Sequence, residues 1–554
     1  MKKKITALAL AAVLGITMLA GCGKTTENPP AKTDTGEKTE ETAKAGGIIT
    51  HNLFSDPKSI DPALNTATDG HQVIQTVFEG LCRVDDKAQP LPGVAEKWDI
   101  SDDKLTYTFH LRDSKWSDGQ PVTAQDFEYA WKRAIDPATA AEYAYQLYYV
   151  KNAEKINKGE AKPEELGVKA IDDKTLEVTL ESETPYFLQL MAFPIYFPVR
   201  KDIVEKDPEG WALNMDTYIG NGPFKAVEWS HDDVLKTVKN ENYYDADKVK
   251  LEGVNYVMIN EASTSFSAFQ SGEIDFMENV PPEQIEILQK ENDPDFKIYP
   301  FLGDYFYCFN VNAKPVDDPK VRRALTYAID RQAIIDNVTK AGQAPAKGFT
   351  PTGIYLSDGK TDFQQSVGDY GMPSDLSKVD EAKKLLAEAG YPDGKGFPTI
   401  EILYNTNEGH KAIAEAIQAM WKENLGINVE LRNEEWKVFQ TSRNQKQYIV
   451  ARHGWIGDYV DPMTFLDLWV TDGGNNDAGY SNPEYDKLIA AAKHSSGPER
   501  DESMKKAEAI LMEDLPVMPI YYYTNACMIR HTIKNAPKSM IGPVDYREAY
   551  IVEE

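Results

Sequence analysis

The segment Trp116-Ser117-Asp118-Gly119-Gln120-Pro121-Val122-Thr123-Ala124-Gln125-Asp126-Phe127 contains a helix start that can be read from residue types alone. Thr123 and Asp126 stand at capping-box spacing, where each side chain can serve the other's backbone N–H. Phe127, Ala130, Trp131 and Ala134 then recur at i, i+3, i+4 and i+7, the spacing of one buried helical face. Upstream, Leu105, Tyr107, Phe109 and Leu111 alternate with Thr106, Thr108 and His110, the period of a half-buried strand. Leu176, Val178 and Leu180 alternate in the same way.

Both periods recur outward along the chain. Val321, Ala324, Leu325 and Ala328 predict a helix after Asp318-Pro319, and a further helix near Val379 to Ala389 stops at Gly390, a C-terminal capping residue. Ile413, Ala416, Ile417, Met420 and Trp421 mark a longer helix ending near Gly426, followed by the alternating strand Ile427-Asn428-Val429-Glu430-Leu431. Interleaved helices and strands give an α/β (mixed α+β) class. A length of 554 residues fits two to four domains at roughly 100–200 residues each. There are no tandem repeats and no linker-like stretch after residue 47.

The beginning of the chain reads differently. Lys2, Lys3 and Lys4 precede a 14-residue apolar run, Ile5 to Met18, which is short for a bilayer span. Leu19-Ala20-Gly21-Cys22 follows. The arrangement resembles a bacterial lipoprotein signal, which implies that residues 1–21 are removed and that Cys22 carries a diacylglyceryl group. Two or more acyl chains make such an anchor stable. Residues 22–46 are then the lipidated Cys and a disordered tether, because residues 23–46 hold no aromatic and no large aliphatic side chain to offset the entropy of ordering. Twenty-four flexible residues span roughly 25–30 Å. The net charge is −28; losing the three lysines makes it −31, which disfavours nucleic acid and anionic lipid as partners.

Motifs for chemistry are missing. Gly353 to Gly359-Lys360-Thr361 has five residues between its glycines where a phosphate loop needs four. Ser-x-x-Lys recurs cheaply, at Ser55, Ser101 and Ser503 among others, with no Lys-Thr-Gly after any of them. The eight His are scattered, which gives no metal cluster. Asp472 to Asp477 is oxygen-rich but lacks calcium-hand spacing, so it reads as a turn. Cys82, Cys308 and Cys527 have no metal-ligand spacing and read as buried thiols. One disulfide is open to them, and the odd count leaves at least one free. Nothing here makes a nucleophile–base pair or calls for a cofactor or metal, so an enzyme is not expected.

Several segments together resemble the peptide-binding branch of the bacterial extracellular solute-binding proteins, the oligopeptide-binding lipoproteins of ABC importers. They are the Trp116 segment, Asn221-Gly222-Pro223-Phe224, Gly272-Glu273-Ile274-Asp275, Val321-Arg322-Arg323-Ala324-Leu325 with Ile329-Asp330-Arg331, Trp455-Ile456-Gly457-Asp458-Tyr459, and Pro519-Ile520-Tyr521-Tyr522-Tyr523-Thr524-Asn525-Ala526. The resemblance covers residues 47–554. It implies a two-lobed periplasmic-binding-protein-like fold with an extra third domain, closing by a hinge around the ligand. Domain I falls at 47–78, 201–302 and 526–554, domain II at 79–200, and domain III at 303–525. It also implies a monomer on the outer face of the cell membrane that captures short peptides of about two to five residues by backbone and termini. Permease and ATPase subunits receive the ligand. A receptor for a peptide pheromone or cell-wall peptide is the alternative on the same fold.

The resemblance assigns the site residue by residue. Asp458 matches an aspartate that pairs with the ligand's ammonium, Arg452 an arginine for its carboxylate, and His410 a histidine serving longer ligands. Tyr143 and Tyr523 match tyrosines on the ligand backbone, Trp455 belongs to the Asp458 segment, and Tyr305-Phe306-Tyr307 is assigned strand pairing with the peptide. Read without the resemblance, Asp458 fits a turn cap, Arg452 a surface ion pair and the tyrosines core packing. Three positions depart from a well-known branch of the family. Thr66 stands for an acidic residue, Thr339 (beside Lys340) for a lysine, and Gly303 with Ile456 for a disulfide.

Overall fold

The computed structural model describes residues 43–44 and 46–553. The expected signal segment 1–21, Cys22 and nearly all of the expected tether lie outside the described residues. The end of the tether does not behave as expected. Ala43–Lys44 pairs antiparallel with Tyr550–Val552, so ordered chain begins before residue 47. An exposed strand edge offers backbone partners whatever the side chains are.

Local signals become the elements they predict. Ala124–Ile135 is a helix with Phe127, Ala130, Trp131 and Ala134 buried. Asp126 accepts from Thr123 N at 2.8 Å and from Thr123 Oγ1 at 3.0 Å. Trp131 donates from Nε1 to Tyr196 O at 2.8 Å; removing such a buried ring costs about 3–5 kcal/mol. Helices Pro319–Tyr327, Val379–Glu388 and Glu408–Leu425 follow the remaining patterns. Gly426 sits at φ 70° as the C-cap of the last, a conformation glycine adopts without steric cost.

Thr106–Leu111 and Thr175–Thr179 are neighbours in a four-stranded antiparallel sheet with Ala95–Ile100 and Val168–Asp172. A second, much larger mixed sheet runs in the order Val429–Glu434, Ile400–Asn405, Val450–Ile456, Phe296–Phe309, Val517–Ile529, Phe276–Met277, Ile48–Asn52, Gly253–Val257, Val234–Lys239, Phe224–Ser230. The fold is therefore α/β with both parallel and antiparallel ladders. Cys82, Cys308 and Cys527 are free and buried. Among the described residues, no helix is long and apolar enough to cross a membrane.

The two long strands, Phe296–Phe309 and Val517–Ile529, pass from one half of the large sheet to the other. Their ladder is broken in the middle. Residues 296–300 pair with 524–528 and residues 304–308 with 517–522, leaving 301–303 opposite Tyr523 alone. Pro300 has no N–H to extend the first run. Gly303 lies so close to the next strand that a Cβ there would meet Ile456 Cδ1 at 2.5 Å and Trp455 O at 2.6 Å. The half carrying Ile48–Asn52, with the four-stranded sheet attached, is called the first lobe below, and the half carrying Val450–Ile456 the second.

Candidate functional site

A cavity of about 820 Å³ lies between the lobes. Asn65 to Thr68, Tyr143, Phe193 and Glu278 to Pro282 line it from the first lobe. From the second come His410, Gln440, Arg443, Lys340, Tyr523 and the whole run Arg452 to Ile456 with Asp458. Asp458, Arg452, His410, Tyr143, Tyr523 and Trp455, chosen from sequence, all reach this one cavity.

Asp458 is 9 % exposed. Its Oδ2 accepts from Gln146 Nε2 at 2.8 Å, across the lobes, and its own N–H donates to Thr464 Oγ1 at 2.9 Å. Burial holds its carboxyl well above the usual carboxylate range, against hydrogen bonds from Gln146 and Tyr143. No cation pairs with it among the described residues. Tyr143 stacks on Trp455 with ring centres 6.0 Å apart.

Arg452 is half-buried. Its guanidinium donates to Tyr523 Oη at 3.0 Å and to Asn405 Oδ1 at 3.4 Å, and lies over the Tyr305 ring at 4.9 Å. No anion pairs with it among the described residues. Gly454 is needed here, because a Cβ would run into Tyr523 Oη. His410 sits in the first turn of Glu408–Leu425, where its N–H donates to Asn407 Oδ1 at 3.1 Å. Desolvation, then the charge of Arg452, pushes its imidazole well below its ordinary value, so it is neutral at neutral pH.

One assignment is corrected. Tyr305 and Tyr307 have no exposed surface, and their strand is paired on both edges. Tyr305 faces Gly454 on one side and Tyr521 on the other, and Tyr307 faces Arg452 and Met518. A strand with both edges occupied has no N–H or C=O left to offer a ligand. Tyr305 instead supports Arg452 from below and places its hydroxyl 3.3 Å from His410 Nδ1. The open edge is elsewhere. Of Val450–Ile456, only Val450 and Ala451 pair with Ile400–Asn405, so Arg452 to Ile456 has no strand on its cavity side among the described residues. Asn65 to Thr68 faces it from the first lobe, with Ala67 extended at φ −138° and ψ 157°. Neither segment has a composition that marks it in the sequence, and Gln146 was also missed.

A second chamber of about 180 Å³ shares Arg452, His410, Asn407 and Trp436 with the first. The seam around both is closed. Tyr186 stacks on Tyr459 with ring centres at 4.2 Å and planes at 9°, and Val460 N donates to Gln189 Oε1 at 2.8 Å. Trp436 Nε1 donates to Asp69 Oδ2 at 2.9 Å.

The sequence matches the family described as bacterial extracellular solute-binding proteins, family 5 middle, over residues 89–477. It is 40 % identical over 560 residues to the oligopeptide-binding protein OppA of Bacillus subtilis (strain 168), covering 99 % of this chain and 100 % of that protein. The structure of the Escherichia coli murein tripeptide binding protein MppA superposes with a TM-score of 0.86 at 36 % identity, covering 92 % of this chain and all of that one. Against the unliganded open form of MppA, at the same identity and with 92 % and 98 % coverage, the TM-score is 0.62. The lower score accords with the closed seam.

Proposed function

The chain belongs to the bacterial extracellular solute-binding proteins of family 5, and on that premise we propose that it captures short peptides and delivers them to an ABC importer. The observation that carries this reading is a pair of opposite charges in one interlobe cavity. Among the described residues, Asp458 is desolvated with no cation beside it and Arg452 has no anion. A peptide brings the missing partner for each. An unpaired buried ion is costly, so a zwitterion of the right length relieves both ends together.

In this reading Asp458 takes the ammonium and Arg452 the carboxylate, with His410 serving longer ligands at the same end. The open edge at Arg452 to Ile456 pairs with the backbone, by the logic of β-augmentation, and Asn65 to Thr68 walls the ligand from the first lobe. Tyr143, Trp455 and Tyr523 wall the ligand. The ligand is bound and released unchanged, as suits a solute-binding protein. Domain I (47–78, 201–302, 526–554), domain II (79–200) and domain III (303–525) move about the interrupted ladder near 301–303. The mature chain is a monomer held by lipid on Cys22 at the outer face of the membrane. Lys340 lies on the cavity wall and offers a second cation for a carboxylate.

Likeness to a murein tripeptide binding protein favours a cell-wall-peptide receptor as the second reading. Native mass spectrometry of protein purified without denaturation separates the two. A ladder of unrelated di- to pentapeptides supports uptake, a single murein-type ligand supports the receptor, and a non-peptide ligand overturns both. Cys22→Ala is expected to release the protein from salt-washed membranes; equal retention of mutant and wild type would refute the anchor.

A further inference from the structure

The helix Trp436–Asn444 belongs to the second lobe and meets the first with its opening turn. Trp436 binds Asp69, and Lys437 Nζ pairs with Asp56 Oδ2, which lies 381 residues away in the chain. The Asp56 side chain has no exposed surface, whereas 33 % of the Lys437 side chain is exposed.

The first lobe prepares that carboxylate by itself. Trp229 Nε1 donates to Asp56 Oδ1 at 2.7 Å, and His231 Nδ1 lies 2.8 Å from Oδ2. Asp56 is therefore fixed in place before the second lobe arrives. The lysine keeps part of its hydration when it docks, so the pair gains Coulomb energy beside a buried anion without full desolvation of the cation. A contact of this kind is easily broken and remade.

Neither Lys437 nor Asp56 lines the large cavity or the side chamber. The same helix reaches the cavity wall further along, at Gln440 and Arg443. Arg443 Nε is held by Asp477 Oδ2 at 2.7 Å. The helix thus runs from the interlobe seam to the ligand cavity, with its first turn fixed to the first lobe and its last turn to the second.

We propose that Lys437 and Asp56 form a closure latch, a positioning pair that holds the lobes shut over any bound ligand and sets its residence time without touching it. This rests on the peptide-capture reading. Because the pair does not meet the ligand, its effect is the same for every peptide. Because it forms only when the lobes meet, it acts on dissociation and leaves the first encounter unchanged. Asp458 and Arg452 differ in both respects, since each discriminates by the ligand's terminal groups.

The test is stopped-flow release of tri-, tetra- and pentaalanine from full-length protein in detergent, followed by intrinsic tryptophan fluorescence. Lys437→Ala is expected to release all three about tenfold faster with unchanged association rates, the usual division of effects between the two rates. Lys437→Arg, which keeps the charge, is expected to remain within about threefold of wild type. The melting temperature of unliganded Lys437→Ala is expected to stay within about 2 °C of wild type. Wild-type release rates in Lys437→Ala would overturn the latch alone. So would faster release of a single peptide length, which marks a ligand contact, or a fall in unliganded melting temperature without faster release, which marks a structural role. Failure of wild type to bind any of the three would overturn the capture reading and the latch with it.

Discussion

The two ends of the cavity are built in different ways. Around Arg452, each partner comes from the second lobe or the long strands that lead into it: Asn405, Tyr523 and the Tyr305 ring. Around Asp458, Gln146 and Tyr143 come from the first lobe. The guanidinium is therefore oriented before the lobes meet, while the carboxylate loses its water and gains its donors only on closure. The difference teaches that one end of the cavity is assembled within one half of the molecule and the other only where the two lobes meet.

Asp458→Asn gives the largest expected effect. Calorimetry on a free-amine tripeptide is expected to show a loss of about 2–5 kcal/mol, the range for removing one partner of a buried charged pair. An N-acetylated tripeptide, which wild type binds poorly, is expected to lose far less. Equal losses for both would mean that Asp458 is a turn residue and that the contrast between the ends is false.

Arg452→Met comes next, at about 2–3 kcal/mol, and only for the peptide length whose carboxylate reaches it. C-terminal amidation is expected to abolish the difference between mutant and wild type. Since this end is preformed, the loss is expected to include slower association, measured by stopped flow. A loss entirely in dissociation would place Arg452 on the same footing as Asp458.

The third expectation concerns pH and the empty protein. Burial in the closed form raises the Asp458 carboxyl well above its ordinary value, whereas an open cleft leaves it solvated. The closed form then binds the extra proton, so closure without ligand is favoured as pH falls toward the solvated value and disfavoured as pH rises. Small-angle scattering of the unliganded protein is expected to show a more compact particle on mild acidification. Asp458→Asn is expected to be compact at neutral pH and to respond less to acid, the remainder coming from groups such as Asp69 in the seam. The same pH response in Asp458→Asn and wild type would remove Asp458 as its source.

The smallest effect is expected at Tyr305. Tyr305→Phe keeps the stack under Arg452 and removes a hydroxyl that meets His410, so affinity is expected to change by less than about 1 kcal/mol. A larger loss in calorimetry would mean that the Arg452 end depends on a hydrogen-bond chain rather than on the guanidinium's own partners.

Much of the fold was legible because its signals are local. The box of Thr123 with Asp126, the stripe from Phe127 to Ala134 and the stop at Gly426 are set by neighbours within a turn or two. Asp458 and Arg452 were singled out by the family resemblance of the segment around Trp455, whereas their residue types alone fit a turn cap and a surface ion pair. Tyr305 and Tyr307 show the limit of that reading. Their alternation with Phe306 is correct for a strand, but whether a strand edge is free depends on which other strands take it. Here Val450–Ile456 and Val517–Ile529 take both.

The sequence by itself determined the α/β class, the helix caps and the alternating strands, while the candidate site residues came from the family resemblance of particular segments. Tertiary structure alone decided that Gln146 stands 312 residues from the Asp458 it serves, that Lys437 meets an Asp56 prepared by Trp229 and His231, and that the free edge lies at Arg452 to Ile456. The physical reason is range. Caps and periodicities are written in interactions among adjacent residues, whereas desolvation, edge occupancy and pairing across a seam depend on which distant segments the fold brings into contact.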